Sequence, residues 1–81
     1  MSSESWIVVG NCFSIQKEHE NALRFFNRAI QLDPNNSYAY SLCGHEYSFN
    51  EDYVRAKKCF ETALALDIRS YSAWWGLGNL C

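Results

Sequence analysis

Five residues of this chain, Ala22, Phe26, Ala29, Leu32 and Asp33, return unchanged thirty-four positions later as Ala56, Phe60, Ala63, Leu66 and Asp67. A repeat of about this period, built on alanines and phenylalanines at helical spacing, is the signature of stacked helical units. One such unit cannot bury its apolar side alone, so stability has to come from stacking on a neighbour. Every other stretch therefore has a counterpart thirty-four positions away that has to pack in the same way.

The apolar spacing predicts five helices. Trp6, Val9, Gly10 and Phe13 mark one face of a helix within residues 2–16. A second, from His19 to Leu32, carries a broad apolar face, and Asp33-Pro34-Asn35-Asn36 ends it, because proline pushes the residue before it out of the helical region. The third runs from about Ser37 to Phe49, with Tyr40, Cys43, Gly44 and Tyr47 repeating the face of the first. Asn50 is expected to cap the fourth, from about Asp52 to Leu66. Ser70 is expected to cap the fifth, from Tyr71 to Leu80, where Trp74, Leu77 and Gly78 take the positions of Trp6, Val9 and Gly10.

Eighty-one residues make at most one small domain, and 48% hydrophobic residues exclude a disordered tail. The net charge of -2, with both signs interspersed, leaves no basic stripe for a phosphate backbone, so nucleic acid is not an expected partner. The apolar runs are too short to span a membrane. The four cysteines, Cys12, Cys43, Cys59 and Cys81, form no CxxC pair, and the absence of a secretory signal favours small core thiols in a reducing compartment over a disulfide framework.

Counted from Ser3, the first unit reads Trp6, Val9, Gly10, Phe13, Ala22, Phe26, Ala29 and Pro34. The second, from Ser37, reads Tyr40, Cys43, Gly44, Tyr47, Ala56, Phe60 and Ala63, with Ile68 in place of the proline. The chain thus resembles the tetratricopeptide repeat (TPR) pattern, an all-α solenoid of antiparallel helix pairs. Two units are expected at 3–36 and 37–70, followed at 71–81 by the first helix of a truncated third, where Cys81 replaces an aromatic residue. Gly10 and Ala22 belong where the paired helices cross closely, and Trp6, Phe13 and Phe26 fill the wedge between them, each burying well over ~100 Å².

Residues that the repeat itself does not require carry a narrower likeness. Glu4-Ser5-Trp6, Gly10-Asn11-Cys12-Phe13-Ser14, Phe25-Phe26, Arg28-Ala29-Ile30-Gln31, Asp33-Pro34-Asn35, Tyr38-Ala39-Tyr40, Gly44-His45-Glu46, Ala73-Trp74 and Gly76-Leu77-Gly78 resemble the cell-division-cycle protein 27 type of scaffold subunit. That subunit belongs to the anaphase-promoting complex, a ubiquitin ligase of the cell cycle. The resemblance implies a fragment of a far longer chain, working in the nucleus and cytoplasm. Its implied partners are other subunits of the complex, the C-terminal Ile-Arg tails of activators, and a second copy of itself.

No catalytic or metal-binding constellation is present, and no cofactor is implied. His19 and His45 stand 26 residues apart, and neither His-Glu pair extends to HExxH. His19 falls in an inter-helix turn and reads as a solvated surface histidine. In the TPR frame the first helix of each unit lines a concave groove through its second, fifth, ninth and twelfth positions. Those are Glu4, Ile7, Asn11 and Ser14, then Tyr38, Ser41, His45 and Ser48, then Ser72, Trp75 and Asn79. The peptide-binding candidates are Glu4, Asn11, Tyr38, Ser41, His45, Trp75 and Asn79. Asn11, His45 and Asn79 form a column one unit apart, and asparagine can both donate to and accept from a peptide backbone. The alternative is a chaperone-adaptor TPR module that binds acidic C-terminal peptides, but the groove positions lack the lysines of a carboxylate clamp. Trp74 is assigned to the core, and the apolar side of the fifth helix (Trp74, Leu77, Leu80) is expected to drive self-association.

Overall fold

The computed structural model describes residues 2–79, without the side chain of Asn79. Leu80 and Cys81, to which the repeat pattern assigns an apolar contact and an aromatic position, lie outside the described residues. The fold is all-α: α1 (Ser3–Ile15), α2 (His19–Leu32), α3 (Ser37–Phe49), α4 (Tyr53–Leu66) and α5 (Tyr71–Asn79). Packing follows the chain, α1 on α2, α2 on α3, α3 on α4, and α5 against both α3 and α4. The result is a slab of 34 × 25 × 17 Å.

Local chemistry sets the helix ends. The Ser2 hydroxyl accepts from the Ser5 amide at 3.3 Å, and Asn36 caps α3 by accepting from Ala39 at 3.3 Å. At the start of α4 the cap is Asp52, whose Oδ1 accepts from the Arg55 amide at 3.4 Å. Asn50 instead closes the end of α3, which corrects its expected role. The reason is a left-handed residue in the turn: Glu51 has φ 63°, and Lys17 at the same place in the first pair has φ 64°. The amides following each turn bond back to the preceding helix, Glu18 to Phe13 O and Asp52 to Tyr47 O, both at 2.9 Å, a Schellman closure.

The connection between pairs depends on aspartate. Asp33 and Asp67 both leave the helical region, and their Oδ1 atoms accept from the amides of Asn35 (3.3 Å) and Arg69 (2.9 Å). The second turn forms with Ile68 where the first has Pro34, so proline reinforces this turn without being required for it.

Two clusters form the core. Ile7, Ala22, Phe26, Ala29, Ala39 and Cys43 join the first pair to α3, while Ala56, Phe60, Ala63 and Ala73 join α4 to α5. Phe26 and Phe60 are fully buried, worth roughly 1.5–3 kcal/mol each in transfer energy. Each ring lies against a glycine: a Cβ on Gly10 would come within 2.6 Å of Phe26, and one on Gly44 within 2.6 Å of Phe60. On α5 the close approach falls at Gly76, 2.3 Å from the Phe60 ring, whereas a Cβ on Gly78 would meet nothing. Phe25 stacks between Trp6 and Phe13, with centroids 5.4 and 5.1 Å apart. Its counterpart in the second pair is Cys59, so that aromatic stack is not repeated.

Among the described residues the thiols are free. Cys43 is buried as expected, and burial, with Cys59 and Glu46 nearby, pushes its thiol far above the ordinary range. Burial also raises Cys59. Cys12 is exposed, so it is not a core residue.

Candidate functional site

The first helices α1, α3 and α5 supply the candidate face, and the structure divides the expected residues into two depths. Glu4 and Tyr38 are exposed, and Asn11 and His45 are half-buried. Trp75 is 68% exposed. Ser41 is fully buried and donates from Oγ to Tyr38 O at 2.7 Å, so it lies beneath the face and cannot meet a ligand. Ile7 is buried as well, because the fifth position of a first helix turns toward the next pair. Trp75 holds that same register position on α5. The side chain of Asn79 lies outside the described residues, so the structure shows the column only at Asn11 and His45.

His45 links the face to the core beneath it. Its Nε2 lies 2.9 Å from the Ser72 hydroxyl, its ring meets Phe60 edge-on at 5.0 Å, and Trp75 is 5.8 Å away. Burial lowers its pKa below the ordinary histidine value, against opposing effects from Glu46 and Ser72. The imidazole is therefore neutral at physiological pH and offers one donor and one acceptor. Trp74 is half-exposed instead of buried, and its indole N–H donates to Ile68 O at 2.9 Å.

The expectation of a solvated His19 is overturned. It begins α2 with its side chain 20% exposed, bonds through Nδ1 to the carboxylate of Glu46, and stacks on Phe49 at 4.7 Å and 15°. Ser14 Oγ donates to the other oxygen of the same carboxylate. Glu46 itself is 3% exposed. The repeat pattern carries no signal for this cluster, since its members are 27 and 32 residues apart and only the packing of α3 on the first pair brings them together.

Charge divides by element. All seven lysines and arginines lie on α2, α4 or the connections, and none on α1, α3 or α5. Among the described residues no group of three potential metal ligands converges, and no helix is long and apolar enough to cross a membrane. The face thus presents the Glu4 carboxylate and uncharged polar groups at Asn11 and His45 beside two exposed aromatic rings, Tyr38 and Trp75, with no cation among them.

Two family models, both described as tetratricopeptide repeat, match residues 3–36 and 37–67. The chain is 54% identical over 77 residues to anaphase-promoting complex subunit 3 of Schizosaccharomyces pombe, covering 95% of this chain and 12% of that one. It is 46% identical over 80 residues to protein bimA of Emericella nidulans, and 47% identical over 75 residues to the cell division cycle protein 27 homolog of Caenorhabditis elegans. Those matches cover 99% and 93% of this chain, and 10% of each relative. The chain therefore spans about a tenth of the length of these curated relatives. Among solved structures it is similar to the crystal structure of YrrB, a TPR protein with an unusual peptide-binding site, at a TM-score of 0.85 and 33% identity over 93% of this chain and 39% of that one.

Proposed function

The chain belongs to the tetratricopeptide repeat family, and from that premise we propose that it is a scaffold segment of an anaphase-promoting complex subunit whose first-helix face binds peptide. We divide it into repeat units at 3–36 and 37–70, with 71–81 opening a third. The module is non-catalytic and acts by holding other proteins. Its setting is the nucleus and cytoplasm of dividing cells, as part of a ubiquitin ligase that drives cell-cycle progression. Its partners are other subunits of that complex and the C-terminal tails of activators, received across Glu4, Asn11, Tyr38, His45, Trp75 and Asn79.

The observation that carries this reading is the partition of the face. Polar groups able to pair with a peptide backbone sit on α1 and α3 beside exposed Tyr38 and Trp75, and aromatic residues dominate binding hot spots. The absence of lysine and arginine from these helices argues against the chaperone-adaptor reading, which needs cations for its acidic ligands. Titration with a short peptide ending in Ile-Arg, followed by tryptophan fluorescence, tests it. Asn11→Ala combined with His45→Ala is expected to weaken binding by ~10-fold or more while the helical signal stays intact, since each lost bond is worth on the order of 1 kcal/mol. Unaltered affinity, or tighter binding of an acidic C-terminal peptide, contradicts the proposal.

Self-association is the second part of the proposal. Tyr71, Trp74 and Trp75 expose large apolar area on one short helix. Light scattering across a concentration series is expected to show a mass above the monomer, and a monomeric mass at millimolar concentration contradicts it.

A further inference from the structure

Glu46 is the buried ionisable group that a peptide-binding face does not use. It stands on α3 directly after His45, with its carboxylate 3% exposed. Each oxygen is taken by a different helix of the preceding pair, Oε1 by the Ser14 hydroxyl near the end of α1 and Oε2 by His19 Nδ1 at the start of α2. Phe49 stacks on the His19 ring and fixes its plane. Among the described residues no buried side-chain nitrogen or oxygen lacks a partner.

A carboxylate placed under a helix junction is costly to desolvate, and it is tolerated only where its bonds are well formed. The surrounding contacts do not explain its presence. Phe26, Ala29, Ala39 and Cys43 pack across the same junction, and such apolar packing by itself leaves roughly 20° of latitude in the crossing angle. Hydrogen bonds are directional. Two of them, converging from separate helices on one side chain, define an orientation.

We infer that Glu46 is the positioning residue of the peptide-binding face: by gripping Ser14 and His19 together it sets the angle between the second helix pair and the first, and with it the placement of His45 relative to Asn11. Its purpose rests on the groove reading above, but its test needs no ligand. The repeat offset sharpens the inference. The counterparts of Ser14 and His19 are Ser48 and Tyr53, so the next junction cannot form the same histidine-carboxylate grip. There His45 bonds Ser72 instead, on the face itself. The first junction is thus set from beneath the face and the second from within it.

Residual dipolar couplings on the isotope-labelled 81-residue chain measure the angle between pairs directly. In Glu46→Leu each pair is expected to fit its native coordinates separately while the angle between them changes by on the order of 20°, the latitude that helix packing permits. Glu46→Gln, which keeps the shape and can still bond both partners, is expected to retain the native angle. A residue that merely stabilises would lower the melting temperature without rotating the pairs. Couplings of a folded Glu46→Leu that fit one rigid native body overturn the inference. If that variant does not fold, Ser14→Ala with His19→Phe, which keeps the stack on Phe49 but offers no nitrogen, removes both grips and has to show the same rotation; an unrotated double variant overturns it equally. Neither result depends on whether a peptide binds.

Discussion

Phe60 is held between two glycines on different helices. Gly44 on α3 and Gly76 on α5 both lie where an added Cβ would enter the ring's van der Waals envelope. The ring cannot retreat, because it is fully buried and His45 stands against it. Gly44→Leu is therefore expected to cost about 3 kcal/mol, the upper range for overpacking a core, read as a drop in the thermal or urea midpoint. An unchanged midpoint would place the crossing of α3 and α4 elsewhere. His45 titrates in a definite direction: its folded pKa is depressed, so the unfolded chain takes up the proton first. Stability from this residue is fully present above about pH 6.5 and is lost as pH falls toward the folded pKa. Comparing wild type with His45→Gln between pH 7 and 5 isolates its contribution, and the wild-type melting temperature is expected to fall more steeply. Parallel slopes would contradict the assignment.

At the scale of the element, the helices owe their boundaries to turns that differ in how far the sequence reveals them. The turn between pairs is legible in the sequence, because Asp33 and Asp67 recur in register, although Pro34 is the more conspicuous residue and aspartate does the bonding. The turn within each pair could not be anticipated. Its left-handed position is filled by Lys17 and Glu51, neither of which favours that conformation, so composition gives no sign of the turn and Asn50 reads as a cap of α4. The same reasoning predicts where stability is available. Glu51→Gly is expected to raise stability by about 1 kcal/mol through relief of left-handed strain, measured by urea denaturation, and a loss of stability would contradict the Schellman geometry. Burial of Phe26, Phe60 and the alanines was readable from the 34-residue offset. The Ser14, His19 and Glu46 cluster was not, because it depends on how one pair is rotated against the next. Ser41 is buried for a related reason: the fifth position faces the next helix, and only packing shows which residues that helix covers.

Over the whole molecule the two kinds of helix have separate tasks. The second helices, α2 and α4, hold the repeating alanines and phenylalanines and five of the seven cations. The first helices carry the polar groups of the candidate face, Glu4 among them but no cation, and its exposed aromatic rings. The stretch from Ala22 to Pro34, which revealed the repeat, is thus a supporting wall, and ligand contact falls on its neighbours. This division separates support from recognition. It is tested most directly by mapping amide chemical-shift changes across the 81-residue chain as a peptide ending in Ile-Arg is added. Shifts are expected to concentrate on α1, α3 and α5, around Asn11, Tyr38, His45 and Trp75, and to leave the outer residues Arg24, Arg28, Lys57 and Lys58 unmoved. Shifts centred on α2 and α4 would contradict it.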